Sequence, residues 1–195
     1  MLCNICRSKD VESFLTSDHK IYWNCFYCGG KFLDKDYLLG DKNERQRYLE
    51  HNNKIDDPDY RSFLSRLAIP FKEKILPNSR GLDFGCGHGP ALADMLKKEG
   101  FKVSLYDPFF YPDTNVLSLK YDFITCTETA EHFYNPFKEF NTLDKLLKPG
   151  GWLGIMTSFL TTDDMFENWY YRRDPTHVTF YAKKTFQVIA SQRNW

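Results

Sequence analysis

The sequence lacks net charge: its 195 residues carry 26 lysines and arginines against 26 aspartates and glutamates. That balance supplies no global field to gather nucleic acid or an anionic membrane, although a local basic patch stays compatible with it. No apolar run approaches the roughly 20 residues that cross a bilayer, and the amino-terminal MLCNICRSKD has no apolar signal-peptide core. The expectation is a cytoplasmic protein with no membrane partner. Low-complexity tracts and internal repeats are missing too. A chain of this length then supports one good core plus a small appended module.

Cysteine, by contrast, is plentiful and patterned. Four of the six cysteines form two pairs, Cys3-x-x-Cys6 and Cys25-x-x-Cys28, separated by 18 residues, the second followed by Gly29-Gly30. In a reducing compartment such paired knuckles point to zinc rather than to disulfides, and four thiolates suit a closed tetrahedral structural site. A module of roughly 40 residues with few apolar side chains would draw much of its folding free energy from that metal. The alternative is four reduced thiols without metal. Cys86 and Cys126 stand alone in apolar runs and read as core or pocket-wall residues.

Three regions follow. Residues 1–40 form the zinc-ribbon-like module, residues 41–79 a helical connection and cap, and residues 80–195 an α/β domain. Within the second, the charge pattern of GDKNERQRYLEHNNKIDD suggests a solvated helix, and Asp57-Pro58 starts another, with Tyr60, Phe63, Leu64, Leu67 and Phe71 at helical spacing. From Arg80, strands at 81–84, 102–106, 121–126 and 152–157 alternate with helices at 90–99 and 136–147. This alternation predicts a doubly wound, mostly parallel sheet with right-handed crossovers, whose ligands bind at the carboxyl ends of the strands.

The first of those ends reads GLDFGCGHGP. Gly85, Gly87 and Gly89 permit positive φ and close ligand approach, and Pro90 fits the first position of the next helix. A dinucleotide site would want a third glycine at position 90 to complete G-x-G-x-x-G, and proline stands there instead. The other ligand suited to a strand, glycine loop and helix is S-adenosylmethionine, whose amino acid end Asp83 would suit. At the second strand end, Asp107 can accept from both ribose hydroxyls, or Asp107-Pro108 can simply initiate a turn.

Taken in order, GLDFGCGHG, the acid closing LYD, YDFITCTETAEHF and LLKPGGWLGIMT resemble the class I S-adenosylmethionine-dependent methyltransferases, from about residue 80 to the end. The resemblance implies a Rossmann-like methyltransferase fold. It places Asp83, Gly85, Cys86 and Gly87 along the methionine and ribose portion of the cofactor, Asp107 on the ribose, Pro108 and Phe109 at the adenine, and Thr127 among the cofactor contacts. Two departures stand out. Only 13 residues separate Asp107 from Tyr121, which leaves a short loop where the family has a helix and a third strand. The chain also stops at Trp195, where the family continues into a closing antiparallel hairpin. The expectation is an abbreviated carboxyl-terminal sheet, an edge covered by another chain, or a truncated product.

Methyl transfer requires alignment of donor and acceptor and a route for the acceptor's proton. Glu128-x-x-Glu131-His132 would share one face if that turn is helical, and His177 lies in YYRRDPTHVTFY. This pattern resembles the small-RNA ribose 2′-O-methyltransferases and the ubiquinone-pathway O-methyltransferases. The likeness implies Glu128, Glu131, His132 and His177 as catalytic residues around a divalent ion such as magnesium. A metal-free histidine base, or plain hydrogen bonding to the cofactor or loop, are the alternatives. Tyr170, Tyr171, Arg172 and Arg173 read either as a substrate-side loop or as packing and solvent-facing residues. The leading expectation is O-methylation of a small-molecule acceptor. An RNA methyltransferase using Lys31, Lys35, Arg45 and Arg47, and a non-catalytic cofactor-binding regulatory module, are the rivals.

Overall fold

The computed structural model describes residues 1–50 and 53–195; the part of the expected solvated helix at 51–52 lies outside the described residues. In chain order the elements are β1 (Val11–Ser17), β2 (Lys20–Cys25), β3 (Lys31–Leu33), α1 (Asp41–Leu49), α2 (Pro58–Lys72), β4 (Arg80–Phe84), α3 (Ala91–Lys98), β5 (Lys102–Tyr106), β6 (Tyr121–Thr127), α4 (Pro136–Leu146), β7 (Leu147–Met156), β8 (Thr179–Phe180) and α5 (Lys183–Ser191). They form two compact units, one of residues 1–41, 130–142 and 157–195, the other of residues 42–129 and 143–156. No helix among the described residues is long and apolar enough to cross a membrane.

The second unit contains a four-stranded parallel sheet in the order β5-β4-β6-β7. The chain leaves β4 for one neighbour and returns to the other side of it, so the strand order reverses between β4 and β6. Ligands of such sheets bind at that switch, at the strands' carboxyl ends. Two helices supply the core. Asp57 caps α2 by accepting from the Tyr60 N–H at 2.9 Å, Pro58 opens its first turn, and Leu64, Ala68 and Phe71 are buried at helical spacing. They pack with Ala91, Leu92, Ala93 and Leu96 of α3 and with Val103 and Phe123. Pro90 stands just before α3, one position earlier than expected. The short link between Asp107 and Tyr121 holds only a 3-10 turn at Thr114–Ser118, and the sheet carries no strand there.

The first unit contains an antiparallel sheet in the order β1-β2-β3-β8. Its fourth strand, only two residues long, comes from near the carboxyl terminus and pairs Phe180 with Lys31 and Thr179 with Phe32. Tyr22, Leu33, Leu160, Phe166, Tyr171, Val178 and Phe180 form a second core around it. The carboxyl-terminal segment is stitched to the cysteine knuckles as well: Thr185 Oγ1 donates to the Cys28 carbonyl at 3.0 Å and Gln192 Nε2 to the Cys6 carbonyl at 2.9 Å.

Candidate functional site

At the carboxyl end of β4 the chain turns through Gly85 with φ +75°, and its N–H donates to the Tyr106 carbonyl at 2.8 Å. A methyl group on Gly85 would lie 2.0 Å from Thr129 Cγ2, while Thr129 Oγ1 donates to the Gly85 carbonyl at 3.0 Å. Only glycine fits both the left-handed backbone and that approach. Gly87, with φ +62°, directs its N–H to Asp107 Oδ2 at 3.0 Å, and Asp107 Oδ1 accepts from the N–H groups of Phe109 and Phe110 at 2.9 and 3.0 Å. A carboxylate offers about four lone-pair sites, so three N–H donors leave Asp107 capacity for a hydroxyl.

The other residues assigned to the cofactor divide by depth. Asp83 is buried, accepts from Thr125 Oγ1 at 2.8 Å, and is pushed up to about 6 by burial. The Cys86 thiol is buried and shifted upward by desolvation. Pro108 is exposed, and Phe109 is half-buried with the Tyr48 ring 5.7 Å away. Thr127 is half-buried at the end of β6, paired with Met156. Thr125, Thr129 and Tyr48 had no sequence signal of their own, because a threonine or tyrosine in such positions has no distinctive spacing.

The second constellation belongs to the other unit. Glu131 has no solvent exposure and accepts from Thr157 Oγ1 at 2.9 Å and from the Tyr171 hydroxyl. Its carboxyl is raised by burial, against the lowering influence of His177 and the two hydroxyls. The His132 and His177 rings lie 4.7 Å apart, edge to face, and Tyr171 packs 4.2 Å from His177. His132 Nδ1 donates to the Thr176 carbonyl at 3.0 Å, and His177 Nδ1 to the Tyr171 carbonyl at 2.7 Å. Burial and the neighbouring His132 pull His177 down to about 4, so it is neutral near pH 7.

Ligand atoms of Glu131, His132 and His177 lie within 4.8 Å of one another. Glu128 is placed differently from the sequence expectation. β6 ends at Thr127, Glu128 adopts a left-handed φ of +46°, and the helical turn spans only Ala130–His132. Residues 128, 131 and 132 therefore do not share a helical face. Two imidazoles and one carboxylate that already accepts from two hydroxyls do not form the oxygen-rich octahedral shell magnesium takes. The expectation of magnesium finds no support in this donor set.

Tyr171 and Arg172 also turn inward. Arg172 is 7 % exposed; Nη2 donates to the Glu167 carbonyl at 2.7 Å, and the guanidinium reaches Asp18, Ser17 and the Tyr22 hydroxyl at 3.3–3.4 Å. It is a brace for its loop rather than an anion contact. Thr157, with no motif to mark it, joins Tyr171 in holding Glu131.

The four knuckle cysteines are all buried, and their sulfurs lie within 4.8 Å of one another. Cys3 and Cys28 are 3.9 Å apart, Cys6 and Cys25 3.7 Å. Tetrahedral Zn–S bonds of about 2.3 Å set sulfurs about 3.8 Å apart, so the cluster has the dimensions of a zinc tetrathiolate. The Ile5 N–H also points at Cys3 Sγ, at 3.4 Å. Among the thiols alone, the hydrogen bond from Cys28 lowers Cys3 to about 5, while burial raises Cys6 to about 12. A divalent cation resolves that conflict by taking all four as thiolates.

The family description "Methyltransferase domain" matches residues 48–195. The chain belongs to that family. The methyltransferase's fold is similar to that of the PH0226 protein of Pyrococcus horikoshii OT3, at a TM-score of 0.50 and 15% identity over 75% of this chain and 88% of that one. An S-adenosylmethionine-dependent methyltransferase of Thermotoga maritima aligns at TM-score 0.44 and 16% identity, covering 78% of this chain and 76% of that one. Coclaurine N-methyltransferase bound to N-methylheliamine and S-adenosylhomocysteine aligns at TM-score 0.46 and 14% identity, covering 78% and 57%. No curated protein matches the chain. The methyltransferase is S-adenosylmethionine-dependent, and the glycine turn with Asp107 fits that cofactor: an open backbone loop and a carboxylate able to take a ribose hydroxyl.

Asp107→Ala should weaken S-adenosylhomocysteine binding by about 1.5 kcal/mol or more, the lower range for a hydrogen bond to a charged group. Calorimetry that returns an unchanged affinity would reject Asp107 as the ribose acceptor. Elemental analysis of protein purified without chelator should find one zinc per chain, and Cys25→Ser should lower that content and expose backbone amides of 1–33 to hydrogen exchange. A metal-free protein with those amides still protected would show the cluster to be four structural thiols.

Proposed function

We propose that the methyltransferase acts on the hydroxyl oxygen of a small-molecule acceptor, with the His132–His177 pair taking the proton that leaves it. The supporting observation is tautomeric. Both Nδ1–H groups donate to main-chain carbonyls, so the neutral His177 ring carries its lone pair on Nε2. S-adenosylmethionine, when bound, supplies an electrophilic methyl group. The protein then has to accept the proton displaced as the new O–C bond forms. His177, held neutral by burial, is already in the accepting form, and the Glu131 charge beside it favours the imidazolium once formed. Tyr171 and Thr157 hold that carboxylate in place. In chain order Glu131 and His132 closely follow the end of β6, and Thr157 directly follows β7.

Of the four basic residues of the RNA reading, Lys31 is withdrawn from solvent. Lys31 is 2 % exposed and bonds Asp163 Oδ1 at 2.7 Å. Arg47 pairs with Glu50 at 2.7 Å, Lys35 with Asp36 at 3.7 Å, and Arg45 lies 5.4 Å from the Phe110 ring centroid. A small acceptor needs no such phosphate contacts.

Release of S-adenosylhomocysteine across a panel of phenols and hydroxylated quinols tests the proposal. With the best acceptor, His177→Gln should lower kcat by roughly 100-fold to 10,000-fold, the range for loss of a general base, while S-adenosylhomocysteine affinity is retained. Because His177 is pulled to about 4, the wild-type rate should hold down to about pH 5 rather than fall through the usual histidine range near 6.5. Added magnesium should change neither value. A His177→Gln enzyme with full turnover would remove the imidazole from the proton transfer.

A further inference from the structure

The 13-residue link between Asp107 and Tyr121 adds no strand to the parallel sheet, so β5 pairs with β4 on one side and, among the described residues, with no strand on the other. The bonds to β4 show which groups face the open side. The Lys102 N–H donates to the Ser79 carbonyl at 3.1 Å, and at the far end of β5 the Tyr106 carbonyl accepts from the Gly85 N–H at 2.8 Å. Main-chain groups alternate sides along a strand, so residues 102, 104 and 106 serve β4, and the N–H and C=O groups of Val103 and Leu105 turn outward. Their side chains pack with Leu92 and Leu96 in the core of this unit. The edge is therefore anchored from beneath, with one donor and one acceptor from each of these two residues in strand geometry.

The charge along this edge has one sign. Arg80 opens β4 and Lys102 opens β5, and the two are register partners, so their side chains leave the same face of the sheet. With Lys97, from the last turn of α3, they line an open recess of about 520 Å³ whose other walls are Phe101, Val103 and Ser104. No carboxylate lines it. Elsewhere in the unit Arg61, Lys72 and Lys98 each hold a carboxylate at 2.7, 3.2 and 2.8 Å, whereas Arg80, Lys97 and Lys102 form no such pair among the described residues. Asp122 takes the Arg80 main-chain N–H at 2.8 Å, but its ion pair is with Lys148, at 2.7 Å. Cations gathered this way repel one another until an anion joins them. A lysine on an edge strand ordinarily keeps other strands away. Here the same charges select: two copies of the chain would bring both sets of cations into one interface, and a neutral strand would gain nothing from them. We propose that the outer edge of β5 is a docking site for an extended acidic peptide, whose main chain pairs with Val103 and Leu105 and whose carboxylates meet Arg80, Lys97 and Lys102. The recess is at the amino ends of β4 and β5, so the assignment is independent of the cofactor turn at their carboxyl ends and of the acceptor.

Fluorescence anisotropy on the full chain with labelled octapeptides tests it. A peptide alternating glutamate with valine should bind, and its lysine-for-glutamate counterpart should not. The acidic peptide with its main-chain amides N-methylated keeps the charge and loses the donors, and it should not bind either. Arg80→Gln, Lys97→Gln and Lys102→Gln combined should weaken the acidic peptide about tenfold, as expected for three exposed ion pairs, and added salt should weaken it in the unaltered protein. Hydrogen exchange gives a readout that needs no variant: the Val103 and Leu105 amides should slow when the acidic peptide is added. Equal binding of the N-methylated peptide would reduce the recess to an anion site, and equal binding of the lysine peptide would make the edge unselective; either result overturns the proposal, as does an acidic peptide that fails to bind. Val103 and Leu105 amides that are protected in concentrated protein without peptide, and released on dilution, would instead make this edge an interface between copies of the chain and would also overturn it.

Discussion

One carboxylate holds together the turns that follow β4 and β5. Asp107 takes N–H groups from Gly87, Phe109 and Phe110, so the turn after β4 and the turn after β5 share a single acceptor. Parallel strands bring these two turns side by side but do not set their spacing; the hydrogen bonds to a charged acceptor do. Gly85 then has to bend left-handed under Thr129, and Gly89 has to run against the Asn53 carbonyl. The loop's shape is the outcome of these three close approaches, and a side chain at either glycine would break one of them.

The antiparallel unit has a comparable dependence on a buried carboxyl group. Glu131 is taken fully out of water, a costly placement for a carboxylate unless donors meet it. Thr157 and Tyr171 are those donors. Tyr171 in turn sits in a loop braced by Arg172, whose guanidinium reaches the β1–β2 turn at Ser17 and Asp18. The cysteine module thereby contributes to the site containing His132 and His177 by fixing the loop that carries Tyr171. A structural metal in that module would stiffen the same chain of contacts from its far end.

Much of this was legible in the residues. Short apolar strands, the Asp57-Pro58 helix start and the glycine turn are local signals; β4, β5, β6 and α3 fall within one or two residues of their expected bounds, and α2 starts where expected. The two cysteine pairs carried their spacing openly, and the sulfurs do meet. What escaped was long-range. A two-residue strand such as β8 has no periodicity to betray it, and its pairing with β3 spans most of the chain. Burial of Lys31 and Arg172 likewise could not be read locally, because their partners Asp163 and Asp18 are far away in sequence. Glu128 looked like a member of a helical face because nothing in the sequence marks the left-handed backbone it adopts.

The central claim is that the turn from Gly85 to Gly89 and the Asp107 carboxylate together receive the cofactor. A crystal structure of the protein with S-adenosylhomocysteine tests it most directly. The account predicts the ribose hydroxyls within hydrogen-bond distance of Asp107, with the Gly87 N–H still on the same carboxylate and the adenine beside Phe109. Ribose density held by another residue, or a ligand bound away from the glycine turn, would contradict it.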